Sequence, residues 1–312
     1  MSQDSDQAIE QLIPRLDSLL DGDRAAAMLV AIGAASVPHL ERYLLSGLPR
    51  TIALPRCRAV RALGELGARE TLISYFRDLA LPEDSAILFA EDAVRSEAAQ
   101  ELLRWKTDET FAVLLAAIKT RATAGLVRGL GEFQRPEAVP VFFDLLEDDL
   151  CREESKEALL KVPEAARCYA ILLLRGATPL GVGQANSLRR KRATFQLLAE
   201  FGVSQADWKD LRGSLGDQDT EVVIACAEIG LNFAPVEERR QIFEALLRVS
   251  HGTNWEQEER IATLLDTNRE LASALARVVL AQHEAAHKRP NWLDPSWRML
   301  RHVLGDAAIK KP

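Results

Sequence analysis

"RAVRALGELG", residues 58–67, and "GLVRGLGEFQ", residues 125–134, both carry Val-Arg-x-Leu-Gly-Glu followed by a large apolar residue. The copies are offset by 67 residues, which makes two units of 33 or 34. Their tail recurs as "AEFG" at 199–202 and "AEIG" at 227–230, and a weaker copy, "VAIGAASVPHL", occupies 30–40. A period in this range is the signature of stacked supersecondary repeats. In the first copy Ala59, Ala62, Leu63 and Leu66 fall at i, i+3, i+4 and i+7, one face of a helix. Gly67, Gly202 and Gly230 then suit the left-handed conformation that closes a helix. A second amphipathic stretch follows each break, as in "RETLISYFRDL" at 69–79 and "PEAVPVFFDLL" at 136–146. The unit is a helical hairpin with small residues where its helices meet. One hairpin cannot bury its own apolar face, so the hairpins must stack.

This pattern resembles HEAT repeats, in particular the short bacterial HEAT-like repeats first associated with phycobilisome lyases. The matching segments are "CRAVRALGELGARETLISYF" (57–76), "VRSEAAQELLRWKTDETFAVLL" (94–115), "LVRGLGEFQRPEAVPVFFDLL" (126–146) and "TEVVIACAEIGLNFAPVEERRQIFEALL" (220–247). "RRKRATFQLLAEFGVSQADWKDLRGSL" (189–215) is a looser match, and the resemblance covers residues 24–265. The fold it implies is all-α, a right-handed α-solenoid of about seven or eight stacked hairpins forming a single domain over 1–312. The segment "RGATPLGVGQANS", 175–187, breaks the pattern and is the expected joint between halves 1–174 and 188–312. Its Gly181-x-Gly183 has no preceding strand and lacks the rest of a nucleotide fingerprint.

Composition agrees with helices: 47% of residues are hydrophobic and only 6% aromatic. A net charge of −7 disfavours bulk nucleic-acid binding, although a local basic face remains open. Cys57, Cys151, Cys168 and Cys226 show no paired spacing and read as reduced thiols of an intracellular protein. The opening "MSQDSDQ" is unlike a signal peptide, and the apolar run "YAILLL" (169–174) is far too short to span a bilayer. The expectation is a soluble cytoplasmic protein with no membrane partner.

Around the apolar face of 58–67, Arg58, Arg61 and Glu65 are expected to point outward. The HEAT resemblance implies that this row, continued by Arg128, Glu132, Glu200 and Glu228, lines the concave groove. Two readings of its glutamates stay open: salt bridges between repeats, or an acidic strip that meets a basic partner. Arg189, Arg190, Lys191 and Arg192 open a helix against its dipole, so helix stability did not select them. They are either a solvated edge or a contact for an acidic partner or phosphate backbone. HEAT-like DNA glycosylases place Trp and Asp residues in a basic cleft. The nearest pairs here, Trp105 with Asp108 and Trp208 with Asp210, sit in no such motif. Trp292 and Trp297 are expected to cover the end of the last hairpin, with a binding hot spot as the alternative.

"HEAAH", 283–287, has the spacing with which zinc peptidases hold metal and base, at His283, Glu284 and His287. Lys288 and Arg289 stand where the peptidase pattern is uncharged, and two histidines alone are an incomplete zinc site. On a helix whose buried stripe is Leu271, Leu275, Val278 and Val279, the motif reads instead as a terminal turn. Glu284 pairs with Lys288 there, and the histidines suit the dipole. No nucleophile elbow or P-loop is present. The sequence-level reading is a non-enzymatic scaffold with no cofactor, an adaptor, assembly factor or inhibitor such as an immunity protein that binds a protein of basic surface. A HEAT-like lyase, a metal-dependent enzyme at His283, Glu284 and His287, and a nucleic-acid binder at Arg189–Arg192 are the alternatives.

Overall fold

The computed structural model describes residues 3–45, 51–78, 80–175, 188–250, 253–285 and 294–305. Among them no strand occurs, and the protein is all-α. The chain divides into two compact units, Met1–Val162 and Pro163–Pro312. The glycine-rich segment expected as a joint lies, from residue 176 onward, outside the described residues.

The described helices of the first unit are α1 (Gln3–Leu12), α2 (Gly22–Ile32), α3 (Val37–Leu45), α4 (Leu54–Glu65) and α5 (Arg69–Asp78), then α6 (Ser85–Leu102), α7 (Asp108–Thr120), α8 (Ala124–Gly131), α9 (Val139–Leu145) and α10 (Arg152–Leu160). Their starts follow from capping chemistry. Asp84 accepts from the backbone N–H groups of Ala86 and Ile87 (2.9 and 3.1 Å), and Thr107 and Thr123 cap α7 and α8 in the same way. Packing runs in two rows. In the first, α2, α4, α6, α8 and α10 contact one another in succession; in the second, α3, α5 and α7 do so. Leu29, Leu63, Val94, Leu126 and Leu159, one from each helix of the first row, are at most 1% exposed and form the shared core.

The second unit contains α11 (Pro163–Leu174), α12 (Leu188–Phe201), α13 (Gln205–Leu211), α14 (Thr220–Phe233) and α15 (Arg239–Val249), followed by α16 (Trp255–Thr267), α17 (Arg269–Ala285) and α18 (Pro295–Leu304). Reciprocal capping boxes start two of them, Ser204 with Asp207 at α13 and Asn254 with Gln257 at α16. Here α12, α14, α16 and α18 contact in succession, while α13 and α15 lie against α14 and α17 against α15.

Three sequence expectations need correction. Arg58 is not outward-facing but 2% exposed. Helix α4 is held between α2 and α6 and also touches α3 and α5, so nine of its twelve residues are buried and its apolar stripe understates the buried width. On α17 Leu275 is buried as expected, together with Ala272 and Ala276, but Val278 is 46% exposed and Val279 only half-buried; the side chain of Leu271 lies outside the described residues. Gly67 and Gly202 do adopt positive φ (75° and 76°), but Gly230 lies inside α14. A Cβ there would come within 2.5 Å of the Trp208 ring and 2.7 Å of Ile242, so this glycine serves close approach rather than termination.

Candidate functional site

Much of the outward row of the first unit is tied up in ion pairs with residues well removed along the chain. Arg61 reaches Glu97 at 3.0 Å and Arg128 reaches Glu154 at 3.2 Å. Glu132 accepts from Lys161 at 2.5 Å with Lys106 at 4.0 Å, and the Lys161 hydrogen bond holds its carboxyl below the usual glutamate value. In the second unit Glu228 accepts from both Nε and Nη2 of Arg260 (3.1 and 2.9 Å), which also reaches Glu221 at 2.7 Å. Glu132 and Glu228 are therefore salt-bridged between helices, as the first of the two open readings had it. Glu65 and Glu200 are different: both are exposed, and neither forms an ion pair with a described residue.

The basic run on α12 is not a free cationic patch. Lys191 pairs with Asp217, and Arg192 donates to both carboxylate oxygens of Asp219 (3.0 and 2.5 Å). Arg190 is 4% exposed and turned inward; Arg189 is exposed. A sequence signal was present in the acidic "GDQD" of 216–219, which opens the next long helix, α14, packed against α12. Asp219 also caps α14 by accepting from the N–H of Val222 at 3.1 Å. The Arg192 hydrogen bond holds its carboxyl below 3.8, the ordinary aspartate value. A folded pKa below the unfolded one means that the unfolded chain takes the proton first. The stabilisation from this carboxylate is thus complete above the unfolded value and is lost as pH falls through the lower folded value. Thermal unfolding followed from pH 5 to pH 2 is expected to show a shallower acid loss for Asp219→Asn, which keeps the cap, than for the unmodified protein. Asp219→Ala should cost about 1 kcal/mol at neutral pH from the lost cap.

The remaining candidates separate clearly. Trp208 is 1% exposed, a core residue rather than a cleft residue, and Asp210 pairs with Arg175. Trp105 is half-buried and Asp108 pairs with Arg135 at 2.6 Å. Trp297 is 4% exposed, within the core of the second unit, while Trp292 lies outside the described residues. His283 and Glu284 belong to α17 by backbone, but their side chains, and all of His287, lie outside the described residues. Gly181 and Gly183 lie outside them as well. Among the described residues no group of three or more His, Cys, Asp or Glu could hold a metal, and no helix is long and apolar enough to cross a membrane. All four cysteines are free; burial raises the thiols of Cys57 and Cys151 to about 11 and that of Cys226 to about 12, which makes them poor nucleophiles.

Sequence reasoning missed a buried polar cluster in the first unit. Glu91, 2% exposed, accepts from Arg56 and from the Tyr75 hydroxyl, themselves 5% and 1% exposed, and Arg95 sits nearby at 5%. A partial signal existed: Val-Arg recurs at 60–61, 94–95 and 127–128, and the middle arginine is the one turned inward. The class this defines is an all-α protein of two units in which helices pack in successive rows tied by ion pairs. No family model matches the chain, and no curated protein matches it.

Proposed function

We propose that the chain is a non-enzymatic α-solenoid of HEAT-like hairpins that binds a protein partner of basic surface along the outward row of its first-row helices. The observation that carries this reading is the division within the glutamate row. Glu132 and Glu228 are consumed by ion pairs that tie helices together, while Glu65 and Glu200 stay exposed at equivalent repeat positions. The successive packing of α2 to α10, and of α12 to α18, supports the stacked-hairpin arrangement on which such a row depends. A net charge of −7 suits steering of a cationic partner, and the compensated run on α12 does not favour phosphate binding. The test is affinity capture from the native cell with quantitative mass spectrometry, comparing the unmodified protein with a Glu65→Lys/Glu200→Lys variant of unchanged circular dichroism. A basic protein retained by the first and lost by the second, with retention weakening as salt rises, is the expected result. Equal retention by both removes the row from the binding surface.

A further inference from the structure

In the second row of the first unit, α5 and α7 lie side by side, and a cavity of about 540 Å³ opens beside them. Its lining is mostly apolar, with Phe76, Leu81, Val113 and Ala116 contributing; Thr120 adds a hydroxyl, and two cations line it, Arg77, which pairs with Glu109 at 2.9 Å, and Arg95 of α6. Arg95 is 5% exposed. Its Nη2 donates to the carbonyls of Ala117 (3.0 Å) and Arg121 (3.3 Å), its Nη1 donates to no described residue, and its buried Nε has no partner. The nearby carboxylates are taken: Glu91 by Arg56 and Tyr75, and Asp92 by Nε and Nη2 of Arg121, both at 2.6 Å. Three guanidiniums therefore share two carboxylates, and Arg95 is the one without an ion pair among the described residues. The Phe76 ring, 5.5 Å from its guanidinium carbon, compensates only in part. Burial pulls the Arg95 pKa down against the opposing pull of the Glu91 and Asp92 charges nearby.

We propose that this cavity binds a small amphipathic carboxylate, with its apolar body against Phe76, Leu81 and Val113 and its carboxylate on Arg95. The volume lies within the range of small-molecule pockets. Arg95 already ties down the C-terminal carbonyls of α7 through Nη2, and the ligand supplies the anion that those neutral acceptors do not. In a chain of net charge −7, diffuse attraction for an anion is weak, so retention of one requires a built site. The inference is independent of the outward row and stands or falls separately from it.

Isothermal titration of the full chain with decanoate and 4-phenylbutyrate, and with decanol as the uncharged control, tests it. Saturable one-to-one binding of at least one acid is expected, with decanol weaker by roughly tenfold or more, the worth of a charge-assisted hydrogen bond. Ala116→Phe, at an exposed position of α7, fills the cavity and should abolish binding; Arg95→Met should bring acid and alcohol to equal affinity. No saturable binding of either acid, decanol binding as tightly as decanoate, or undiminished binding to Ala116→Phe overturns the proposal. If Arg95→Met fails to fold, the decanol comparison and Ala116→Phe decide alone.

Discussion

Glu91→Ala lowers the stability of the first unit by about 3–5 kcal/mol, the cost of leaving a buried guanidinium without its counter-charge. Arg56 is 5% exposed and donates to Glu91 and to the Leu44 carbonyl (3.2 Å). Tyr75, 1% exposed, donates to the same carboxylate and would lose its acceptor. Burial first, and then the charge of Glu91, raise the Tyr75 pKa well above the usual tyrosine value, so the phenol stays protonated and cannot serve as the missing anion. Chemical denaturation followed by circular dichroism measures the loss. The double variant Arg56→Met/Glu91→Leu separates the cost of the stranded charge from any net value of the pair. Replacing a whole buried pair by apolar groups of similar volume is often neutral or stabilising, so the double variant should recover most of the stability. If it is as unstable as Glu91→Ala, the pair itself contributes the energy and the stranded-charge account fails.

That cluster also shows why helices were legible in the sequence while parts of their surroundings were not. The apolar pattern of 58–67 and the glycine after it state where a helix lies and where it ends, and α4 and α5 fall where the pattern puts them. Both properties depend on residues within one helix. Whether Arg58 meets water depends instead on α2 and the residues just before it, from a different part of the chain. Its guanidinium donates to the Leu16 and Ser18 carbonyls (2.9 and 2.8 Å) and to both oxygens of Asp23 (2.8 and 3.1 Å). The outward row divides for the same reason: Glu65 and Glu132 occupy equivalent sequence positions, but only Glu132 has a lysine placed to reach it. Periodicity specifies packing residues along one helix and not their polar neighbours, so the helices could be read from it and the state of each charge could not.

Trp208→Ala is the second large effect, a loss of about 3–5 kcal/mol from the second unit. The sequence left Trp208 as a distant counterpart of a cleft tryptophan; the structure buries it in the core at 1% exposed. Its Nε1 donates to Glu238 at 2.7 Å, which in turn accepts from Arg212 at 2.9 Å, so the ring is oriented as well as packed. The ring edge occupies the space that a Cβ at Gly230 would need, 2.5 Å away. This makes the two positions interdependent. In the unmodified protein Gly230→Ala forces the indole or Ile242 to move, an overpacking cost of about 1–3 kcal/mol that outweighs the gain of about 1 kcal/mol for alanine over glycine in a helix. Once Trp208 is alanine, the clash with the ring is gone and only the flexible end of Ile242 must yield. Gly230→Ala should then be neutral or stabilising, and the two substitutions should couple by at least about 1 kcal/mol in a double-mutant cycle. The four proteins unfolded in urea give that coupling directly, and additive effects would mean that the glycine is absent a side chain for some reason other than the indole.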